Sequence, residues 1–353
     1  MSITPQIFCM KRKAFLQSLI TSTVGTLLVK QGLSIPDTPP ISTPIKMPRY
    51  LKSGDNIGIT CPAGPMTSDE LQFCKESINR WGMNVIYGAT VGKQWQRFGG
   101  TDEERTLDFQ RMLDDERIDA IIFGRGGYGV MRIMDKINWD KFEKKPKWLV
   151  GFSDITALHC HIQCLYGIPT IHAAMGLGFK STDDETVISL KNALTATKQE
   201  YKAAGYYLNR PGKAVGKLVG GNLSLLVAMQ GSKSALKTEG KILFIEDVSE
   251  YKYTIDRMMM NLKRSGMLDH LAGLVFGAYT GIKADSEEGF PMSIEEILYE
   301  KVKEYDYPVC FHFPAGHQKQ NLALKLGCNY MLEVSKESIT LNEINITQKK
   351  IIG

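Results

Sequence analysis

The chain has 353 residues, of which 43% are hydrophobic and 23% charged, values typical of a globular protein long enough for two domains. Its formal charge of +5 is concentrated at the start, because residues 1–36 contain four basic residues and no acid. No basic stripe with interleaved aromatic side chains follows, so the composition argues against a nucleic-acid-binding protein.

The N-terminal segment has the layout of an export signal. Three basic residues, Lys11 to Lys13, precede a mostly apolar run, and a proline-rich stretch follows. This order predicts a signal peptide over residues 1–36, similar to a degenerate twin-arginine signal, and a linker over 37–48. We therefore expect that the protein is exported to the periplasm. A cytoplasmic location is the alternative. No other segment is apolar enough to predict a membrane span.

From residue 49 onwards, short apolar runs alternate with amphipathic stretches. Four of the runs predict strands, namely Asp55–Thr60, Met83–Tyr87, Ala120–Phe123 and Lys147–Val150. Helices are predicted between them, one of which begins at Thr101 with the capping-box partner Glu104. Strands that alternate with helices favour parallel pairing, so residues 49–185 are predicted to form an α/β domain with a doubly wound parallel sheet.

The second half of the chain shows a less regular alternation. Residues 186–212 have weak periodicity and predict an interdomain linker. Residues 213–350 are then predicted to form a mixed α/β domain. Its predicted elements are a strand and a helix within 213–231, a strand at Ile242–Ile245, a methionine-rich helix, a strand at Leu274–Gly277, a helix at Ile294–Val302 and a strand pair from about Tyr330 to Ile346.

Ser153 lies at a predicted corner between a strand and a helix, in the stretch 151-GFSD-154. The glycine two residues before it permits a tight turn like the G-x-S-x-G nucleophile elbow, although Ile155 replaces the second glycine of that motif. A serine or aspartate before a helix also commonly caps the helix N-terminus. The local sequence therefore leaves two interpretations, a nucleophile and a helix cap.

The stretch 124-GRGGYG-129 directly follows a predicted strand. Its glycines match the G-x-G-x-x-G spacing of phosphate-binding loops, but the loop follows the third strand and lacks the acidic residue expected about 20 positions later. The same backbone amides could form an oxyanion hole for a developing negative charge. A plain tight turn is the third interpretation.

A base for a serine nucleophile is offered by His317, which lies in a loop that contains proline and glycine. Histidine accepts a proton near neutral pH, and a carboxylate fixes its tautomer and stabilises its charged form. Glu246, at the end of a predicted strand, is the first candidate for that carboxylate, and Asp247 and Glu250 are its rivals.

The seven cysteines are scattered along the chain and show no spacing typical of a zinc site. Neither a metal site nor a disulfide framework is predicted from them. Cys61 and Cys160 are weaker candidates for a nucleophile, because neither stands at a corner like that of Ser153.

Six blocks of the sequence occur in the order found in a known enzyme family. They are 55-DNIGITCPAGP-65, 124-GRGGYGVMRIMDKIN-138, 151-GFSDITALH-159, 216-GKLVGGNLSLL-226, 244-FIEDVSEYKYTIDRMMMNL-262 and 313-FPAGHQKQNLALKLG-327. Together they resemble the LD-carboxypeptidase family of serine peptidases, which includes murein tetrapeptide carboxypeptidases and microcin C self-immunity proteins. The resemblance extends from Pro48 to about Ile346.

The resemblance implies a Ser-Glu-His catalytic triad, which falls on Ser153, Glu246 and His317. The implied oxyanion donors are the backbone amides of Asp154 and Gly127, for which Gly126 is a close rival. It further implies a site in the cleft between the two domains, no metal or organic cofactor, and often a homodimer. One departure is 171-IHAAM-175, where family members commonly have a His-Gly-Pro-Met run, so His172 is assigned no role.

The predicted function is hydrolysis of the L,D-peptide bond before the terminal D-amino acid of a murein tetrapeptide, through an acyl-enzyme. A related substrate, a peptidyl- or acyl-adenylate toxin, is the first alternative. A nucleotide-binding module that uses residues 124–129, and a non-catalytic cell-wall binder of the same fold, are the others. Residues 279–291 predict a variable loop that influences the choice of substrate.

Overall fold

The computed structural model describes residues 45–283 and 289–344. The predicted signal segment and most of the proline-rich linker lie outside these residues. The strands are β1 (Asn56–Thr60), β2 (Asn84–Tyr87), β3 (Ala120–Phe123), β4 (Trp148–Gly151), β5 (Thr170–His172), β6 (Glu200–Ala204), β7 (Gly212–Asn222), β8 (Ile242–Val248), β9 (Gly273–Thr280), β10 (Val309–Cys310), β11 (Leu324–Leu326), β12 (Asn329–Val334) and β13 (Ser338–Glu343). The helices are α1 (Gln72–Arg80), α2 (Asp102–Asp114), α3 (Asp140–Lys144), α4 (Thr156–Tyr166), α5 (Asp184–Leu194), α6 (Leu223–Ala228), α7 (Lys252–Arg264) and α8 (Ile294–Val302).

The first sheet contains six strands in the order β11-β5-β4-β3-β1-β2. Strands β1 to β5 are parallel, and β11 pairs antiparallel with β5. The strand order reverses at β1, because β2 lies on one side of it and β3 on the other. In doubly wound folds, ligands bind beyond the carboxyl ends of the strands at such a reversal, which here is the edge where β1, β3 and β4 end.

The second sheet contains seven strands in the order β10-β9-β8-β7-β12-β13-β6. Strands β7 to β10 are parallel, whereas β12, β13 and β6 join antiparallel. This arrangement confirms the predicted fold class, a doubly wound parallel sheet followed by a mixed α/β region.

A continuous apolar core connects the two sheets. It includes Ile121 and Leu149 from the first sheet, Leu158 from α4, and Leu243 and Ile245 from the second sheet. Each of these side chains is at most 1% exposed. Because α4 begins just after the corner that follows β4, its packing holds the carboxyl end of the first sheet against the second half of the chain.

Several elements are not apparent from sequence periodicity. The segment predicted as a linker contains most of α5, which buries the hydroxyl residues Thr186 and Ser189 and so lacks a purely apolar face. It also contains β6, an edge strand in which Tyr201 is buried between exposed neighbours. Strands β5 and β11 have three residues each, too few to show a pattern. The boundaries of the two domains remain predictions.

Candidate active site

Ser153 occupies a strained corner between β4 and α4. Its φ angle is 61°, a left-handed conformation that is costly for a residue other than glycine. The corner is tight, because a Cβ added at Gly151 would lie 2.8 Å from the Ile155 side chain. A 3₁₀ turn at Ser153–Ile155 leads directly into α4, and the N-cap residues of the two, Phe152 and Ile155, provide no side-chain cap. The Ser153 hydroxyl caps neither of them. Ser153 therefore has the geometry of a nucleophile elbow and not of a helix cap.

The glycine loop 124–129 runs directly beside Ser153. A Cβ added at Gly126 would lie 3.0 Å from the Cβ of Ser153, so the close approach requires glycine. The Gly126 carbonyl accepts a hydrogen bond from the Gly64 amide at 3.0 Å, which fixes the peptide that leads into Gly127. Gly127 itself is exposed and has a φ of 111°. Within the described residues, the Gly127 and Asp154 amides have no protein acceptor.

Two buried charged side chains hold this loop in place. The Asp154 carboxylate, 1% exposed, accepts a hydrogen bond from the Val130 amide at 2.9 Å. The fully buried Arg105 guanidinium donates to the Gly129 carbonyl at 2.9 Å and also to the Pro62 carbonyl. Burial raises the pKa of Asp154, an effect that the Val130 amide and the Arg105 charge oppose. Sequence reasoning gave Asp154 only a backbone role and overlooked Arg105, whose one sequence signal is a cation on the buried face of a helix.

Glu246 and His317 form a close pair contributed by β8 and the loop before β11. The Glu246 side chain is fully buried, and its Oε2 lies 2.6 Å from Nδ1 of His317. The same oxygen accepts the His317 backbone amide at 3.3 Å. Gly316 makes this approach possible, since a Cβ there would lie 2.8 Å from the Glu246 side chain. With Nδ1 bonded to the carboxylate, Nε2 is the ring nitrogen left for proton transfer.

The pKa of His317 reflects both its burial and its acidic neighbours. Burial lowers this pKa, but the hydrogen bond and charge of Glu246, together with the charge of Asp247, outweigh that effect and raise it above 6.5. Glu246, and neither of its rivals Asp247 and Glu250, contacts the ring. Asp247 instead accepts the Asn222 amide group at 2.9 Å. Its pKa is raised to about 7 by burial and by the charge of Glu246.

Residues from the first and second halves of the chain meet at the candidate site. The ring of Phe152, the residue before Ser153, lies 4.6 Å from the imidazole of His317, measured between ring centroids. Ser153 and His317 make no direct hydrogen bond in this structure. Such bonds in active sites often form only when substrate binds. The structure thus joins the predicted base and carboxylate directly, and it packs Phe152, the neighbour of the predicted nucleophile, against the base.

His172 lies beneath the site, in contact with aromatic rings from both halves of the chain. Its imidazole is fully buried, 5.6 Å from the Phe152 ring and 4.9 Å from the Phe244 ring. Burial holds the pKa of His172 well below 6.5, so the ring is neutral. It packs the floor of the site and does not reach the ligand-facing side.

Two other sequence candidates do not have the geometry that their chemistry needs. Cys61 and Cys160 are buried, and burial raises the pKa of the Cys61 thiol to about 12, so neither is a reactive thiolate. The glycine loop leads into a short 3₁₀ turn at Val130–Arg132 and not into the long helix of a dinucleotide-binding loop. Among the described residues, no group of three or more His, Cys, Asp or Glu side chains is placed to hold a metal ion.

Comparison with known proteins identifies the family. Residues 57–173 match the model of the LD-carboxypeptidase N-terminal domain, and residues 215–332 match that of its C-terminal domain. The chain belongs to the LD-carboxypeptidase family. It is accordingly a serine carboxypeptidase, as the resemblance in the sequence predicts. None of the helices within the described ranges is long and apolar enough to cross a bilayer.

Relatives within and near this family cover most of the chain. A probable murein peptide carboxypeptidase from Bacillus subtilis is 32% identical over 83% of the chain and 93% of its own length. The crystal structure of a muramoyltetrapeptide carboxypeptidase from Oxalobacter formigenes is 25% identical, with a TM-score of 0.74 over 82% of this chain and 99% of that one. The microcin C7 self-immunity protein of Escherichia coli is 24% identical over 85% of the chain and 96% of its own length.

Proposed function

We propose that the protein hydrolyses the L,D-peptide bond before the terminal D-amino acid of a murein tetrapeptide. The observation that carries the proposal is the buried Glu246–His317 pair, whose atoms lie 2.6 Å apart beside the strained corner of Ser153. The names of the Bacillus and Oxalobacter relatives support murein peptides as the substrate class.

In the proposed reaction, the Ser153 oxygen attacks the carbonyl carbon of the scissile bond and its proton passes to Nε2 of His317. The amides of Gly127 and Asp154 stabilise the negative oxygen of the tetrahedral intermediate. When the C–N bond breaks, His317 returns the proton to the leaving amino group. Water then attacks the ester, gives a proton to His317, and releases the shortened peptide as Ser153 regains its hydrogen.

The decisive experiment is turnover of a defined muropeptide by a Ser153→Ala protein. We expect kcat to fall by about 10⁴-fold or more, because the alanine cannot form the acyl-enzyme. A Ser53→Ala protein, changed at an exposed serine that hydrogen-bonds only the Gly82 carbonyl, is the matched control and should keep full activity. Activity of Ser153→Ala near that of the wild type would remove the proposed nucleophile. Hydrolysis of an acyl-adenylate in place of the muropeptide would reassign the substrate.

Two further parts of the proposal concern assembly and location. We propose a homodimer, to be checked by analytical ultracentrifugation of the purified protein, where a monomer at micromolar concentration would contradict it. We also propose that residues 1–36 direct export to the periplasm. N-terminal sequencing of the native protein tests this, because an intact N-terminus in the cytoplasmic fraction would exclude a cleaved signal.

A further inference from the structure

An open cleft of about 390 Å³ lies next to His317. This volume is within the range of small-ligand sites, about 300 to 1,000 Å³. His317 and Phe152 line it, so the cleft adjoins the proposed catalytic base. Two of its walls are the loop that follows His317 and the residues that follow the 3₁₀ turn Gly176–Lys180.

The wall that follows His317 is fixed by hydrogen bonds at Lys319 and just after it. The Thr182 hydroxyl donates to the Lys319 carbonyl at 2.7 Å, which ties this wall to the opposite one. Two residues further on, the Asn321 amide donates to the Thr186 hydroxyl at 2.8 Å. The backbone that carries Lys319 is therefore held in place before any ligand binds, which lowers the entropic cost of using its side chain.

The polar groups of the cleft suit an anion. Of the residues that line it, Lys319 is the only lysine or arginine, and none is acidic. Within the described chain, Lys319 makes no ion pair, although its side chain is exposed at the cleft wall. The side-chain amide of Gln318 adds hydrogen-bond donors to the same lining, whereas the Ser181 hydroxyl donates to the Gly178 carbonyl at 3.3 Å.

The position of the cleft indicates which anion it receives. His317 returns its proton to the nitrogen of the leaving residue, so that nitrogen lies next to the imidazole. The α-carboxylate of a terminal amino acid is only two bonds from that nitrogen, and Lys319 is two residues from His317. On the basis of the proposed carboxypeptidase function, we infer that this cleft receives the leaving D-amino acid and that Lys319 pairs with its terminal carboxylate.

Arg125 is the nearest rival cation. It also makes no ion pair within the described chain. Its side chain packs against Gly64, next to the glycine loop, because a Cβ added at Gly64 would lie 2.9 Å from Nε of Arg125. Arg125 does not line the cleft beside His317. If Arg125 held the carboxylate, the leaving residue would lie on the side of the glycine loop. If Lys319 holds it, the leaving residue lies in the cleft beside His317, so substitutions of the two cations distinguish the two positions.

The test compares two peptides that differ only at their terminus, a muramoyl tetrapeptide ending in D-alanine and the same peptide ending in D-alanine amide. The wild type is expected to prefer the acid. In Lys319→Met, kcat/KM for the acid should fall by about 10- to 100-fold through KM, because the contact exists in ground state and transition state alike. The rate for the amide should stay that of the wild type, so the preference disappears.

Lys180→Met is the matched control, because Lys180 is exposed in the neighbouring 3₁₀ turn and does not line the cleft. It should retain the preference for the acid. Rising salt should raise the wild-type KM for the acid and leave that for the amide unchanged. An unchanged preference in Lys319→Met, or its loss in Arg125→Met instead, would overturn the assignment while the proposed function stands. Failure of the wild type to cleave either peptide would overturn the function and the subsite together.

Discussion

At the residue scale, the electrostatics of the site centre on one buried carboxylate. Glu246 is fully buried and meets His317 at both the ring and the backbone. A carboxylate in a low-dielectric setting favours the charged imidazole, which is why the pKa of His317 rises in spite of burial. The same contact occupies Nδ1 and leaves Nε2 as the ring nitrogen that would take the serine proton in the proposed reaction. The orientation of His317 thus depends on Glu246, which also makes the largest upward contribution to its pKa, ahead of the charge of Asp247.

This dependence predicts the pH profile of the enzyme. His317 must be neutral to act as a base, so kcat/KM should fall as the pH drops through its raised pKa, above 6.5. In Glu246→Gln the pKa of His317 loses its main upward contribution, and the acidic limb should move to lower pH. The maximal rate should also drop, by about 10³- to 10⁴-fold, since an amide does not stabilise the imidazolium.

The pH–rate profile of each variant checks this prediction, with Glu250→Gln as a control that removes a nearby carboxylate without a contact to the ring. An acidic limb that stays in place in Glu246→Gln would contradict it.

The same raised pKa has a consequence for stability. The stabilisation from the charged pair should be complete below pH 6.5 and be lost as the pH rises through the pKa of folded His317.

At the element scale, the glycine loop owes its shape to groups outside it. Its Gly126 carbonyl accepts from the Gly64 amide, its Gly129 carbonyl accepts from Arg105 of α2, and the Asp154 carboxylate binds the amide of Val130, the residue after the loop. Asp154 has two parts in the proposed site, because its amide is a proposed oxyanion donor while its side chain accepts a hydrogen bond from the Val130 amide. The nucleophile corner and the loop are thereby held in a fixed relation, as a preorganised oxyanion site requires.

We therefore expect Asp154→Ala to lower kcat by roughly 10- to 100-fold with little change in KM, because the displaced amides act mainly in the transition state. Asp154→Asn, which keeps a hydrogen-bond acceptor, should recover part of the loss. Asp108→Asn is a matched control, since Asp108 is 4% exposed and accepts the Ala89 amide at 2.7 Å outside the site. Equal losses of kcat in Asp154→Ala and Asp108→Asn, measured per folded molecule, would show that Asp154 acts only through stability.

At the scale of the whole molecule, the two halves share structure and do not merely touch. Strand β11 comes from the second half but pairs with β5 in the first sheet, where Lys325 lies opposite Ile171. The Lys325 side chain is buried, and its Nζ lies 3.0 Å from Glu343 of β13 and 3.3 Å from the Tyr50 hydroxyl. Lys325 therefore links the start of the described chain, the edge of the first sheet and the last strand of the second.

Removing this cation should destabilise the whole protein. Lys325→Ala leaves the Glu343 carboxylate buried without its partner, at a cost of about 3 to 5 kcal/mol in the free energy of unfolding. Lys213→Ala breaks an exposed pair with Glu333 and should cost at most about 1 kcal/mol. Urea unfolding measures both values. The double change Lys325→Met with Glu343→Leu should recover most of the loss, and a Lys325→Ala protein no less stable than Lys213→Ala would contradict this account.

The features that the sequence by itself determined are local. Strand β3 has the bounds predicted from its apolar run, helix α8 has those predicted from its amphipathic pattern, and Thr101 and Glu104 form the predicted capping box. These features depend on neighbouring residues and on burial, which periodicity records directly. The family also follows from the sequence, because six short blocks of this chain occur in the order found in that family. The candidate triad follows from the family.

The tertiary structure alone decided which distant groups meet. Glu246 and His317 are 71 residues apart, and no local pattern encodes the 2.6 Å contact between them. The freedom of the Ser153 hydroxyl from capping depends on the strained corner, and the shape of the glycine loop depends on Arg105. Such contacts arise from strand order and helix packing over long range, so they appear only when the whole chain has folded.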